Sequence, residues 1–189
     1  MFAPRHKRRF RLARRDAYGS RINREPSPIL LALVPWGSVM LAAIIPFIII
    51  ATAVPLVPPL ALLFLLGWRL VRPGVIPVWA GLPLGLWNDL FSGQPFGCSV
   101  LLFSLTLLAI EIVESRFPWR DFRQDWWTAA LALTANIILG AIFSGADVDL
   151  VLIAGLGPQV LLSVLAFPIV ARMVADLDKL RLLRVRVVD

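Results

Sequence analysis

The chain holds one cysteine, Cys98, and one histidine, His6, among 189 residues. A lone cysteine excludes an intrachain disulfide. A Cys/His zinc site and a Cys–His nucleophile pair are excluded as well, because the topology argued below sets Cys98 and His6 on opposite membrane faces. Charge is scarce: Asp, Glu, Lys and Arg make up 16% of the sequence, against roughly 25% in soluble domains. The sequence has no GxxxxGKS or GxxxxGKT loop, so the chain lacks that phosphate cradle for hydrolysing nucleotides by itself. Nor does an internal repeat mark it as an inverted-repeat transporter.

What remains is apolar. Hydrophobic residues make up 59% of the chain and the mean hydropathy is +0.81. Apolar runs cover 29–54, 56–70, 75–91, 97–113, 126–144 and 148–171, and a membrane span needs about 17–25 residues. The second run is short: as a helix its 15 residues would rise about 22 Å against a hydrocarbon core of about 30 Å. The third is interrupted by Pro77 and Pro83.

Charge placement decides the count. If all six runs cross, one side holds the nine basic residues from Arg5 to Arg24, then Arg69 and Arg72, then Arg116, Arg120 and Arg123, then Arg172, Lys179, Arg181, Arg184 and Arg186, which is all 19 Lys and Arg. The other side, "VPLVPP", "SGQPFG" and "GADVD", holds none. A re-entrant second run would strand Arg69 and Arg72 outside, against the positive-inside rule. The sequence therefore predicts an all-α integral membrane protein, a compact bundle of six kinked helices with both termini cytoplasmic. The first apolar run is too long for the core of an export signal, about 7–15 residues, and reads as a retained anchor.

Residues 1–28 form a basic tail, expected to be disordered, that suits anionic headgroups better than nucleic acid beside a membrane span. Residues 29–174 form the membrane domain. The segment 114–127, "ESRFPWRDFRQDWW", mixes charge with aromatics and is expected to be a short interfacial helix. Trp119, Arg120 and Arg123 are its candidate docking residues for a cytoplasmic partner. Residues 175–189 continue an amphipathic pattern in which Leu177, Leu180 and Leu183 recur every third residue, expected as a cytoplasmic tail. Prolines inside the runs, among them Pro35, Pro46, Pro158 and Pro168, free backbone carbonyls that lipid cannot satisfy, so neighbouring helices must close around the kinks.

One acid stands out. Asp89 lies in "GLWNDLFSGQPFG", near the external end of the third helix, where the helix dipole disfavours it. Two compensations are open: hydrogen bonds from the Ser92–Gly97 turn or the start of the fourth helix, or contact with a ligand, proton or partner. Gly81, Gly85 and Asp89 are spaced by four and share one helix face, and such glycines let another helix approach closely. Ser92, Gly93, Pro95 and Gly97 then make the turn.

The stretch 81–114, with Gly85, Asp89, Ser92, Gly93 and Gly97 in register, resembles the signature region of the MreD family of bacterial rod shape-determining membrane proteins. Trp87 and Asn88 stand where that family is usually aliphatic. The resemblance implies a non-catalytic inner-membrane scaffold of the cell-elongation machinery, without cofactor. It further implies binding to MreC and a link from MreB filaments to a glycosyltransferase and a transpeptidase of peptidoglycan synthesis. It also implies a fold similar to the substrate-binding components of vitamin importers. A small-molecule importer component is the alternative, needing an outward pocket near Trp87, Asn88, Asp89 and Gln94. An acid-catalysed enzyme is disfavoured, because Asp89 and Glu111 fall at opposite ends of adjacent helices; Glu111 and Glu114 are expected to pair with Arg116 or Arg172.

Overall fold

The computed structural model describes residues 24–25, 28–49, 57–116, 121–145, 150–182 and 186–187. Six helices follow one another: α1 (Pro28–Ile49), α2 (Leu60–Val71), α3 (Gly81–Ser92), α4 (Cys98–Arg116), α5 (Phe122–Phe143) and α6 (Leu150–Arg181). Pro28 opens α1 at a position whose N–H would lack an intrahelical partner in any case. A single turn of 3-10 helix, Val78–Ala80, leads straight into α3. Beyond the bundle, Arg24–Glu25 and Arg186–Val187 pair as a two-residue antiparallel bridge, so the two tails meet.

The expected helices are present, but they are not equal. α1, α4, α5 and α6 are long and apolar enough to cross a membrane. α2 and α3 have 12 residues each and rise about 18 Å, too little to span alone. Pro58 and Pro59 delay the start of α2 to Leu60, and Pro73 and Gly74 follow its end at Val71. Pro83 falls in the first turn of α3, where a missing N–H costs nothing.

α2 is the centre of the molecule. All ten residues from Ala61 to Leu70 are buried, the signature of a helix apolar on every side. α1 and α6 flank it. Gly67 brings α6 close, since a Cβ there would sit 3.0 Å from Val174 Cγ2. Trp68 has no exposed surface, and its indole N–H donates to Ser38 Oγ at 2.8 Å, while that hydroxyl donates to the Pro35 carbonyl. Leu63, Leu66, Leu107, Leu133 and Phe167 complete this core.

One in-helix proline, Pro168, is accommodated by a neighbouring helix, as the sequence requires. Pro168 lies inside α6 and cannot donate to the carbonyl four residues back, that of Val164. The Trp126 indole of α5 donates to that oxygen at 3.1 Å. The aromatic segment differs from expectation. Residues 122–127 are the first turns of α5 and continuous with it, rather than a separate interfacial helix, because Asp121 is extended and starts the helix there. Trp126 turns inward, while Phe122 and Trp127 stay exposed. α6 passes residue 174 without a break, and Val174 and Asp178 are both buried.

Candidate functional site

The sequence pattern around Asp89 folds into a tight joint between α3 and α4. Gly93 ends α3 in the left-handed region, φ +67°, and Gly97 enters α4 at φ +95°. Between them the Gln94 amide donates to Ser92 Oγ, and the Cys98 amide to the Pro95 carbonyl. Asp89, 6% exposed, reaches across this turn. Its Oδ2 accepts from the Gly97 N–H and its Oδ1 from the Ser99 N–H, both at 2.8 Å. These are orphan donors at the start of α4, so the carboxylate caps the next helix and meets the positive end of that helix's dipole. The penalty at the end of its own helix is offset by the helix it holds.

The two glycines on the same face set the distance. A Cβ on Gly81 would fall 2.7 Å from Ser104 Cα, and one on Gly85 would fall 2.6 Å from the Ser99 carbonyl oxygen and from Val100 Cα. Only hydrogen fits between the backbones. Asn88 Nδ2 donates to Ser99 Oγ at 2.9 Å, and the Trp87 indole donates to the Met40 carbonyl, tying α3 to α1. The opposite face of α3, with Leu82, Leu86 and Leu90, is exposed.

Not every sequence candidate joins this cluster. Arg123 is exposed at the start of α5, beyond the far end of α4. Trp119 and Arg120 lie outside the described residues.

That far end carries an ion-pair cluster whose base differs from the expected one. Arg69, 3% exposed, donates to Glu111, to Glu114 at 2.7 Å and to the Ile76 carbonyl. The expected partners Arg116 and Arg172 are both exposed. The reason is the shortness of α2: its last turn ends inside the bundle and delivers Arg69 beside α4. The i, i+3 spacing of Glu111 and Glu114 places both on one side of α4, a signal that a base comes from another element. Beside them Arg72 Nε meets Asp178 at 2.7 Å, and Asp178 is 1% exposed. The C-terminal ends of α2, α4 and α6 are therefore joined by ion pairs at one end of the bundle.

At the other end, next to the α3–α4 turn, lies a cavity of about 870 Å³. Asn88 and Gln94 line it, whereas Asp89 and Trp87 do not.

Comparison with known proteins agrees with the signature. No curated protein and no solved structure matches the chain, so the expected likeness to vitamin-importer components finds no support. The family model described as rod shape-determining protein MreD matches residues 27–177. That stretch contains α1 to α5, the capped joint and nearly all of α6, and the chain belongs to the MreD family of rod shape-determining membrane proteins.

Proposed function

We propose that the chain is a non-catalytic scaffold of the bacterial inner membrane that maintains rod shape by binding MreC. Through MreC it helps couple MreB filaments to the peptidoglycan glycosyltransferase and transpeptidase. Both termini lie in the cytoplasm, where the basic tails lean on anionic lipid. The observation that carries this reading is how Asp89 is used. Both of its oxygens hold backbone donors of α4, which suits a carboxylate that fixes the angle between two helices. The joint then presents the outer face of α3 to a partner helix in a constant pose.

Three experiments test the proposal. Depletion in a rod-shaped host should produce round cells, and a photocrosslinking residue in place of Leu86 should capture MreC. Asp89→Ala should lower MreC recovery together with the thermal stability of the purified protein. Cells that stay rod-shaped on depletion would end the scaffold reading. MreC recovery unchanged in a destabilised Asp89→Ala protein would end the role given to the joint.

A further inference from the structure

The cavity beside the α3–α4 turn has the size of a ligand site and an unusual wall. Its volume of about 870 Å³ falls within the range of small-molecule pockets, roughly 300–1,000 Å³. Every helix contributes to it, from Ala43 of α1 to Gln159 of α6. Among the described residues, no Asp, Glu, Lys or Arg lines it. Its polar groups are amides and hydroxyls, chiefly Asn88, Gln94, Ser99, Asn136 and Gln159, set among apolar surfaces such as Leu102 and Phe103.

Asn136 is the telling residue. It is 9% exposed, and its Nδ2 donates to Thr106 Oγ1 at 2.7 Å and to the Ala132 carbonyl at 2.8 Å. Only the NH2 group can serve a carbonyl, so these bonds fix which way the amide faces. Oδ1 is thereby left buried with no hydrogen-bond partner. A buried acceptor without a donor costs free energy, and here it belongs to a residue of the cavity wall. Gln94 likewise has its side-chain amide free of hydrogen bonds among the described residues, beside Gly140.

We propose that this cavity binds an uncharged amphiphile that carries hydroxyl or amide hydrogens. Its polar atoms meet the Asn88, Gln94 and Gln159 amides, a donor reaches the covered Asn136 Oδ1 once that side chain turns toward the cavity, and an apolar portion lies along Leu102 and Phe103. A charged molecule is disfavoured because it would surrender its hydration and find no counter-charge among the described lining residues. The same chemistry reaches a membrane protein from two sources, a neutral lipid from the bilayer or a neutral solute from water. This inference is independent of the scaffold role.

The test uses the full chain in lipid nanodiscs and three diazirine probes: a monoacylglycerol, a short-chain alkyl glucoside and a fatty acid in its anionic form. At least one neutral probe should label the peptides carrying Leu102 and Asn136 saturably, while the anion should not. Labelling by the monoacylglycerol identifies a bilayer source, and labelling by the glucoside an aqueous one. Asn136→Leu should raise the half-saturating concentration about tenfold, the effect of losing one well-made buried hydrogen bond. Ala141→Phe, which fills the cavity from α5, should abolish saturation while labelling of exposed Leu131 is unchanged. A cavity that holds water only would give no saturable labelling by either neutral probe, and that result overturns the proposal. So would equal labelling by the anion, or insensitivity to both substitutions in proteins that keep their helical content.

Discussion

Replacing Trp126 by Phe should destabilise the protein, and by an amount that depends on whether Pro168 is present. In the native chain Val164 has lost its intrahelical donor to the proline, and the indole supplies the replacement at 3.1 Å. Removing the indole N–H strands a carbonyl within the bundle. The general cost of an unsatisfied buried group is about 1–3 kcal/mol, whereas hydrogen bonds measured between membrane helices average about 0.6 and reach about 1.7 kcal/mol. The expected hydrogen-bond share is therefore about 1–1.5 kcal/mol. In a Pro168→Ala background the new N–H of residue 168 reaches the Val164 carbonyl and the stranded group disappears. The loss of aromatic bulk is the same in both backgrounds and cancels. A double-mutant cycle, with unfolding in mixed micelles followed by circular dichroism, should thus give a coupling of about 1 kcal/mol. A coupling under about 0.3 kcal/mol, the limit of ordinary additivity, would refute the claim that Trp126 replaces the missing helix bond.

Two further outcomes follow from the packing. Gly85→Ala should cost about 1–3 kcal/mol by overpacking, because its methyl would meet α4 backbone rather than a movable side chain; a thermal melt indistinguishable from the native protein would show that α3 and α4 can separate freely. Arg69→Met should cost about 1–3 kcal/mol, reduced from the fully buried case because the Glu111 side chain is 53% exposed. Adding Glu111→Gln and Glu114→Gln should restore most of it, and a triple variant as unstable as Arg69→Met alone would show that the guanidinium acts by packing instead of charge.

The helix order and the face shared by Gly81, Gly85 and Asp89 were legible because both depend on short-range periodicity. Four-residue spacing on one segment survives any arrangement of the others. The place of α2 was not legible, for a physical reason. Hydropathy reports that Leu62, Leu63, Leu65 and Leu66 avoid water, and it is the same whether they face lipid or protein. Only the prolines before Leu60 and the Arg69 at its other end hint that the run is too short for lipid and must be enclosed. The partner of Glu111 and Glu114 was missed on the same account, since charge counting gives only the side of the membrane on which Arg69 lies, while the fold keeps it buried in the last turn of α2. The Trp126 bond was half visible: Pro168 announced a free carbonyl, but nothing local to either residue names the donor. Leu82, Leu86 and Leu90 illustrate the remaining limit, being exposed in the fold on a face whose apolar character serves lipid and partner equally.

The half-length of α2 bears on how the chain is made. A segment of 12 residues that carries an arginine in its last turn is a poor substrate for insertion on its own, because the charge would have to enter hydrocarbon without a counter-ion. The acids that neutralise Arg69 are 42 and 45 residues downstream, and the one that pairs with Arg72 lies at the end of α6. Synthesis delivers α2 early, yet its environment exists only after α4 has crossed and α6 has closed the bundle. Assembly in the bilayer therefore runs out of step with translation, and the central helix is among the last to settle.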